Sequence, residues 1–234
     1  MSTLQPPPSL PKRVLIEGMA AARANLVPGL ILNFVAVIIG CGYAWHEPTR
    51  AALTAVGDYK QEVGILFPIV STAFFAGLLP VVMQRLGAAH QDPWGHLRLL
   101  LPFWAYKGAE VNALYDLQAM MFGTGTDIGT LACKVAFDQF VYVPIWAVPS
   151  MVIAYQYMNT GFSWQALRAD LNRSWYVRRC STVLVMNMLI WVPAVTMIYT
   201  LPTALQLPIQ NIIACLFVLL ISFMTKPVAP AVEV

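Results

Sequence analysis

The sequence predicts an all-α polytopic membrane protein: a bundle of about six transmembrane helices with proline kinks, plus an interfacial amphipathic helix. Three observations predict it. Six apolar segments, 26–45, 63–86, 97–122, 131–158, 180–201 and 206–225, fill most of the 234 residues. Each is near the roughly 20 residues that cross a hydrocarbon core of about 30 Å. The composition is 59% hydrophobic and only 11% charged, with a mean hydropathy of +0.65, which no soluble domain of this size matches. The basic residues also alternate from side to side. Lys12, Arg13, Arg23, Arg85, Arg98, Arg168, Arg173, Arg178, Arg179 and Lys226 fall on one side if all six segments cross, and Arg50, Lys60 and Lys134 on the other. That asymmetry places both termini on the positive-inside face.

The chain divides into a tail and interfacial segment (1–25), one transmembrane domain (26–226) and a C-terminal tail (227–234). Pro6, Pro7, Pro8 and Pro11 make the first residues extended, and 14–24, broken by Glu17 and Arg23, reads as an interfacial helix. No soluble catalytic domain fits between the spans, and the net charge of +3 reflects orientation in a bilayer, not a nucleic-acid partner.

Span one aligns Asn33, Ala36, Gly40 and Ala44 in a stripe that lets another helix approach closely. Span two repeats small residues at Ala73, Ala76 and Gly77. Prolines interrupt almost every span, each removing one backbone donor and freeing a carbonyl one turn earlier.

Span three needs an explanation, because it carries Lys107, Glu110, Asn112, Asp116 and Gln118. A charge at mid-bilayer costs about 2.5–3.5 kcal/mol on insertion scales, so a lipid-facing Glu110 is disfavoured. Either Lys107 and Glu110 neutralise each other, or both line a water-filled path. Span four opens with Lys134, Asp138 and Tyr142 on one face and Gln139 beside them; span five adds Asn187 and Trp191 one turn apart. An interfacial cap near the helix N-terminus is the plainer reading of Lys134 and Asp138. Between spans four and five, Trp164, Arg168, Arg173, Trp175, Arg178 and Arg179 predict an amphipathic helix over 163–179, lying at the headgroups against anionic lipid.

Other chemistry has little to stand on. Cys41, Cys133, Cys180 and Cys215 lack CxxC spacing, and His46, His90 and His96 share no helix face with carboxylates, so neither disulfide nor metal is expected. No catalytic constellation is visible, which argues against an enzyme and against any cofactor. The run Gly123-Thr124-Gly125-Thr126-Asp127 reads as a polar turn, not a phosphate loop.

At span four, Lys134-Val-Ala-Phe-Asp138-Gln139 with Pro144 resembles the K-x3-D-Q-x4-P signature of the Mpv-seventeen and twenty-two-kilodalton peroxisomal membrane protein family. Gly108, Tyr115 and Phe122-Gly123 are similar to that family's G-P-x5-W-Y segment and the loop after it, with Ala109 in place of the proline and Leu114 in place of the tryptophan. Asn187, Trp191, Pro193 and Pro202 resemble its N-x3-W-P stretch, with Val192 inserted before the proline. The likeness covers roughly 108–225. It implies a weakly selective pore for small solutes, in a mitochondrial inner or peroxisomal membrane, or an inner membrane if the source is bacterial.

The resulting expectation is a small-solute channel whose path is lined or gated by Lys107, Glu110, Asp116, Lys134, Asp138, Gln139, Asn187 and Trp191. Gly108, Tyr115, Pro144, Pro193 and Pro202 define its fold. Its partners are the lipid bilayer, small solutes or ions, and further copies or subunits. The rival expectation is a non-catalytic accessory subunit of a larger membrane complex.

Overall fold

The structure, a computed structural model, describes residues 26–86 and 93–224, together with Ile16, Met19, Ala20 and Arg23. The interfacial segment expected at 14–24 lies mostly outside these residues, as do His90 and the C-terminal tail. Everything described is helix and turn, with no sheet among the described residues. The helices are α1 (Leu26–Trp45), α2 (Glu47–Val63), α3 (Leu66–Thr72, Ala73–Leu78 and Leu79–Leu86, continuous), α4 (Pro93–Phe122), α5 (Ile128–Asn159), α6 (Trp164–Asp170), α7 (Tyr176–Cys180 running into Ser181–Tyr199) and α8 (Thr203–Met224). Leu26–Trp45, Leu66–Met83 and Ile128–Asn159 are long and apolar enough to cross a membrane. Val183–Tyr199 and Thr203–Leu216 are shorter apolar helices. The α4 helix has the length but carries the charged residues of span three.

Helix α1 shows how the small-residue stripe works. Leu32, Ala36 and Gly40 are buried, while Leu30, Phe34 and Ile38 on the opposite face are more than half exposed. The buried face meets α7: Asn33 Nδ2 donates to Gly29 O at 2.8 Å and across to Ile190 O at 3.2 Å. The main core lies where α1, α4, α7 and α8 meet, around Leu32, Tyr115, Ile198, Tyr199, Leu205 and Ile213.

Between α1 and α3, where the hydropathy pattern marks no span, the chain forms α2. Its charges hide it from a hydropathy reading, yet Leu53 packs on the core and Gly57 is buried against Ala204 and Leu205. His46 caps its N-terminus and Gly64, at φ 65°, ends it. Arg50 reaches back to close α1: Nε donates to Tyr43 O at 2.8 Å, and a terminal nitrogen donates to Ala44 O. These carbonyls have no partner within the helix. Arg50→Met is therefore expected to cost about 1 kcal/mol, read as a lower melting temperature in detergent; an unchanged melt would show that lipid or water replaces the guanidinium.

Two interior stretches widen to π-helical geometry, Ala73–Leu78 ahead of Pro80 and Asp138–Ala147 around Pro144. A proline lacks the donor and crowds the carbonyl four residues earlier, and a wider turn relieves that conflict. Tyr176 OH donates to Pro144 O at 2.8 Å, giving one carbonyl of the widened stretch a partner. Pro193 is exposed within α7, and the carbonyl of Pro202 accepts from Leu205 N at 2.8 Å to start α8.

The expected helix over 163–179 is two pieces. Ser163 caps α6 through Ala166 N, the helix ends at Asp170, and Asn172 Oδ1 accepts from Ser174 N at 3.1 Å, turning the chain. Asp170 then binds Arg178 at 3.2 Å and Arg179 at 3.1 Å. Arg179, with Arg178 beside it, holds the Asp170 carboxyl below the usual range. Trp164, Arg168, Arg173, Arg178 and Arg179 are exposed, whereas Trp175 is half-buried and packs against the cluster of Val143, Val148 and Cys180. Trp175 is thus partly covered by the helix bundle, unlike the exposed Trp164.

Candidate functional site: a polar interior on α4 and α5

Three cavities lie along α4. One of about 390 Å³ is bounded by Lys60, Gly64, Asn112, Asp116 and Thr203. A central one of about 170 Å³ lies among α3, α4, α5, α7 and α8. A third, of about 290 Å³, is bounded by Pro80, His96, Leu100, Met158 and Val183. The first gathers the start of α3, the later half of α4 and the start of α8. The third gathers the end of α3, the start of α4, the end of α5 and the start of α7. Successive long helices therefore run antiparallel.

Lys107 and Glu110 are expected either to pair or to line a water-filled path. They meet each other: Lys107 Nζ donates to Glu110 Oε1 at 2.7 Å, with both side chains largely buried. The pair is caged by aromatics. Glu110 also accepts from Tyr142 OH and, at 2.9 Å, from Trp146 Nε1. The ammonium stands 6.0 Å from the Phe103 ring centroid and 5.9 Å from that of Tyr142. Lys107 still forms part of the central cavity wall.

On α5 the Lys134 and Asp138 side chains converge on Tyr199 instead of pairing. Tyr199 OH donates to Asp138 Oδ2 at 2.8 Å and accepts from Gln118 Nε2 at 2.8 Å. Lys134 Nζ stands 5.9 Å from the centre of the Tyr199 ring. Both residues are deeply buried, which overturns the interfacial-cap reading. The cap of α5 is Asp127, whose carboxylate accepts from Thr130 N at 3.0 Å and Thr130 Oγ1 at 2.7 Å. Those bonds hold its carboxyl below the usual range, and the polar turn reading of 123–127 stands, with Gly123 at φ 84°. Asp138 and Gln139 are adjacent in sequence yet both buried on the cavity wall, at the start of the widened stretch.

Of the eight expected path residues, Lys107, Asp138, Gln139, Asn187 and Trp191 line the central cavity. Glu110 joins them through Lys107. Lys134 does not line it and serves Tyr199. Asp116 is exposed, accepts from Asn112 Nδ2 at 2.9 Å, and belongs to the cavity beside α2. Lys60 lies in that same cavity; burial pushes its ammonium below the usual lysine range while Asp116 pulls it back. Tyr115, expected as a fold residue, is buried, packs edge-on to Tyr199 at 5.6 Å and donates to Gln210.

Several wall residues escaped the sequence reading of the site. Asn211 donates to Thr72 Oγ1 at 3.0 Å and to Ser71 Oγ at 3.1 Å, tying α8 to α3. Tyr142 and Gln210 also line the cavity, bonded to Glu110 and Tyr115, and Tyr199 stands behind the wall on Asp138. Among the described residues no three His, Cys, Asp or Glu side chains are grouped to hold a metal ion, and all four cysteines are free. In comparison with known proteins, no family model, no curated protein and no solved structure matches the chain.

Proposed function

We propose that α1, α3, α4, α5, α7 and α8 all cross the bilayer, with the arginine-rich ends on one side, and that their interior is a route for small polar solutes. One observation carries this reading. The central cavity and the His96 cavity share Ala76, Trp104, Met151, Asn187, Trp191 and Ala214 as a common wall, and the Asp116 cavity lies at the other end of α4. From His96 to Asp116 the helix rises about 30 Å, the thickness of the hydrocarbon core. Buried polar groups are costly to keep in a membrane interior and are a mark of solute or ion pathways.

On this reading α2 lies at the surface opposite the arginines and covers the Asp116 end. The run from Lys134 to Pro144 resembles the signature of the Mpv-seventeen and twenty-two-kilodalton family, for which a weakly selective pore is the expected role, and Lys134, Asp138 and Gln139 are buried together on α5. The interior holds two lysines, Lys107 and Lys134, and two carboxylates, Glu110 and Asp138, so neither sign dominates and charge selectivity is low.

Efflux of neutral solutes of graded size from liposomes holding the purified protein tests the proposal. The expected result is size-limited efflux, with ion preference shifted toward anions in the double variant Glu110→Gln, Asp138→Asn. Folded protein without efflux would refute the route and favour the accessory-subunit reading, for which stoichiometric co-purification of partners is the next measurement.

A further inference from the structure

We infer that the central cavity is a binding site for a small organic ammonium ion, held by Asp138. This rests on the preceding reading in treating the cavity as open to solutes. The ion pairs among the described residues are Arg50–Glu47, Lys107–Glu110 and Asp170 with Arg178 and Arg179; Asp138 is in none of them. Asp138 is 5% exposed, its carboxylate accepts from the Tyr199 hydroxyl and meets the Gln139 side chain, and it forms part of the cavity wall. Lys107, the cation on that wall, is already closed on Glu110. Lys134, one turn before Asp138, faces the Tyr199 ring and not the cavity. A buried anion without a cation is expensive, and a ligand that brings the cation relieves the cost.

A second observation points the same way. Gln139 is 1% exposed, lines the cavity, and its Oε1 has no hydrogen-bond partner. A buried acceptor left unmade next to a carboxylate calls for a donor with more than one N–H. The rest of the wall selects the class of cation. Trp104, Tyr115, Tyr142 and Trp191 contribute aromatic surface, which attracts ammonium groups. Val111, Leu114 and Val148 are apolar and suit an alkyl body. At about 170 Å³ the cavity is near the size of those that take a benzene-sized guest (about 150 Å³). A bare metal ion would leave most of that space unfilled and few of its ligands supplied.

Calorimetric titration of the full-length protein in lipid nanodiscs, with empty nanodiscs as the blank, tests the site using n-butylammonium. Saturable binding at least tenfold tighter than that of n-butanol or butyrate is expected in the wild type, together with a tenfold or greater loss in Asp138→Asn and a smaller loss in Gln139→Leu. Equal heats for the ammonium and the alcohol, or binding untouched in both variants, would overturn the proposal. So would saturable binding of sodium in place of the ammonium. If Asp138→Asn does not fold, the wild-type comparison and Gln139→Leu decide alone. Efflux of neutral solutes without ammonium binding would overturn the site and leave the route standing; ammonium binding without efflux would do the reverse.

Discussion

Glu110→Ala is expected to destabilise the protein by about 3–5 kcal/mol, the range for breaking a buried ion pair from one side. The size follows from what the carboxylate holds. Lys107 is 5% exposed and pairs with no other anion among the described residues, so its ammonium would stay buried and uncompensated. Tyr142 and Trp146 would each lose their acceptor at the same time. The double variant Lys107→Met, Glu110→Leu removes the charge problem altogether and should recover most of the loss, because an apolar pair of similar volume replaces the ion pair. Asp116→Asn is the internal control: its side chain is exposed and meets only Asn112 by hydrogen bond, so little change is expected. Thermal unfolding of the four proteins in one detergent checks the set. If Glu110→Ala melts with the wild type, the cage around Lys107 is wet, and the pair belongs to an aqueous wall.

The long helices were legible in the sequence because length and apolarity are local properties. Leu26–Trp45 was read at the bounds observed. Helix α2 was not, since its buried face holds Gly57 and Lys60, which no hydropathy window scores as core. The break inside 163–179 is a turn in which Asn172 Oδ1 accepts from the Ser174 backbone N–H, and an amphipathic pattern conceals such a turn. In the site, the buried carboxylates and lysines were visible because charge in an apolar span is conspicuous. The Lys107–Glu110 pair was one of the two readings, but the aromatic partners were not legible. Tyr142, Trp146 and Tyr199 look like any membrane aromatic until the fold aims a hydroxyl or indole N–H at a carboxylate. Spacing alone suggested that Lys134 and Asp138 face the same way; it could not show that a tyrosine from α7 comes between them.

Two glycines in spans separate a backbone contact from a side-chain one, and their alanine variants are expected to differ sharply. A Cβ on Gly108 would lie 2.0 Å from the Pro68 carbonyl oxygen and 2.7 Å from Thr72 Oγ1. Carbon and oxygen rest at about 3.3–3.6 Å even in their closest favourable contacts, so α4 must move away from α3 by more than about 1 Å. Neither partner can yield alone, because the obstacle is the backbone of a helix. The movement also strains Thr72, whose hydroxyl exchanges hydrogen bonds with Asn211 on α8 at 3.0 and 3.1 Å. A cost at or above the upper end of about 1–3 kcal/mol follows. At Gly40 the same addition meets the terminal methyl of Met197 at 2.2 Å. That methyl ends a flexible side chain that can rotate away, and alanine gains up to about 1 kcal/mol of helix propensity over glycine. Gly40→Ala should therefore melt within a few degrees of the wild type, while Gly108→Ala melts well below it or fails to accumulate. Comparable behaviour of the two variants would mean that α4 does not cross α3 at Gly108. The position of Lys107, the next residue toward the cavity, would then need a different support.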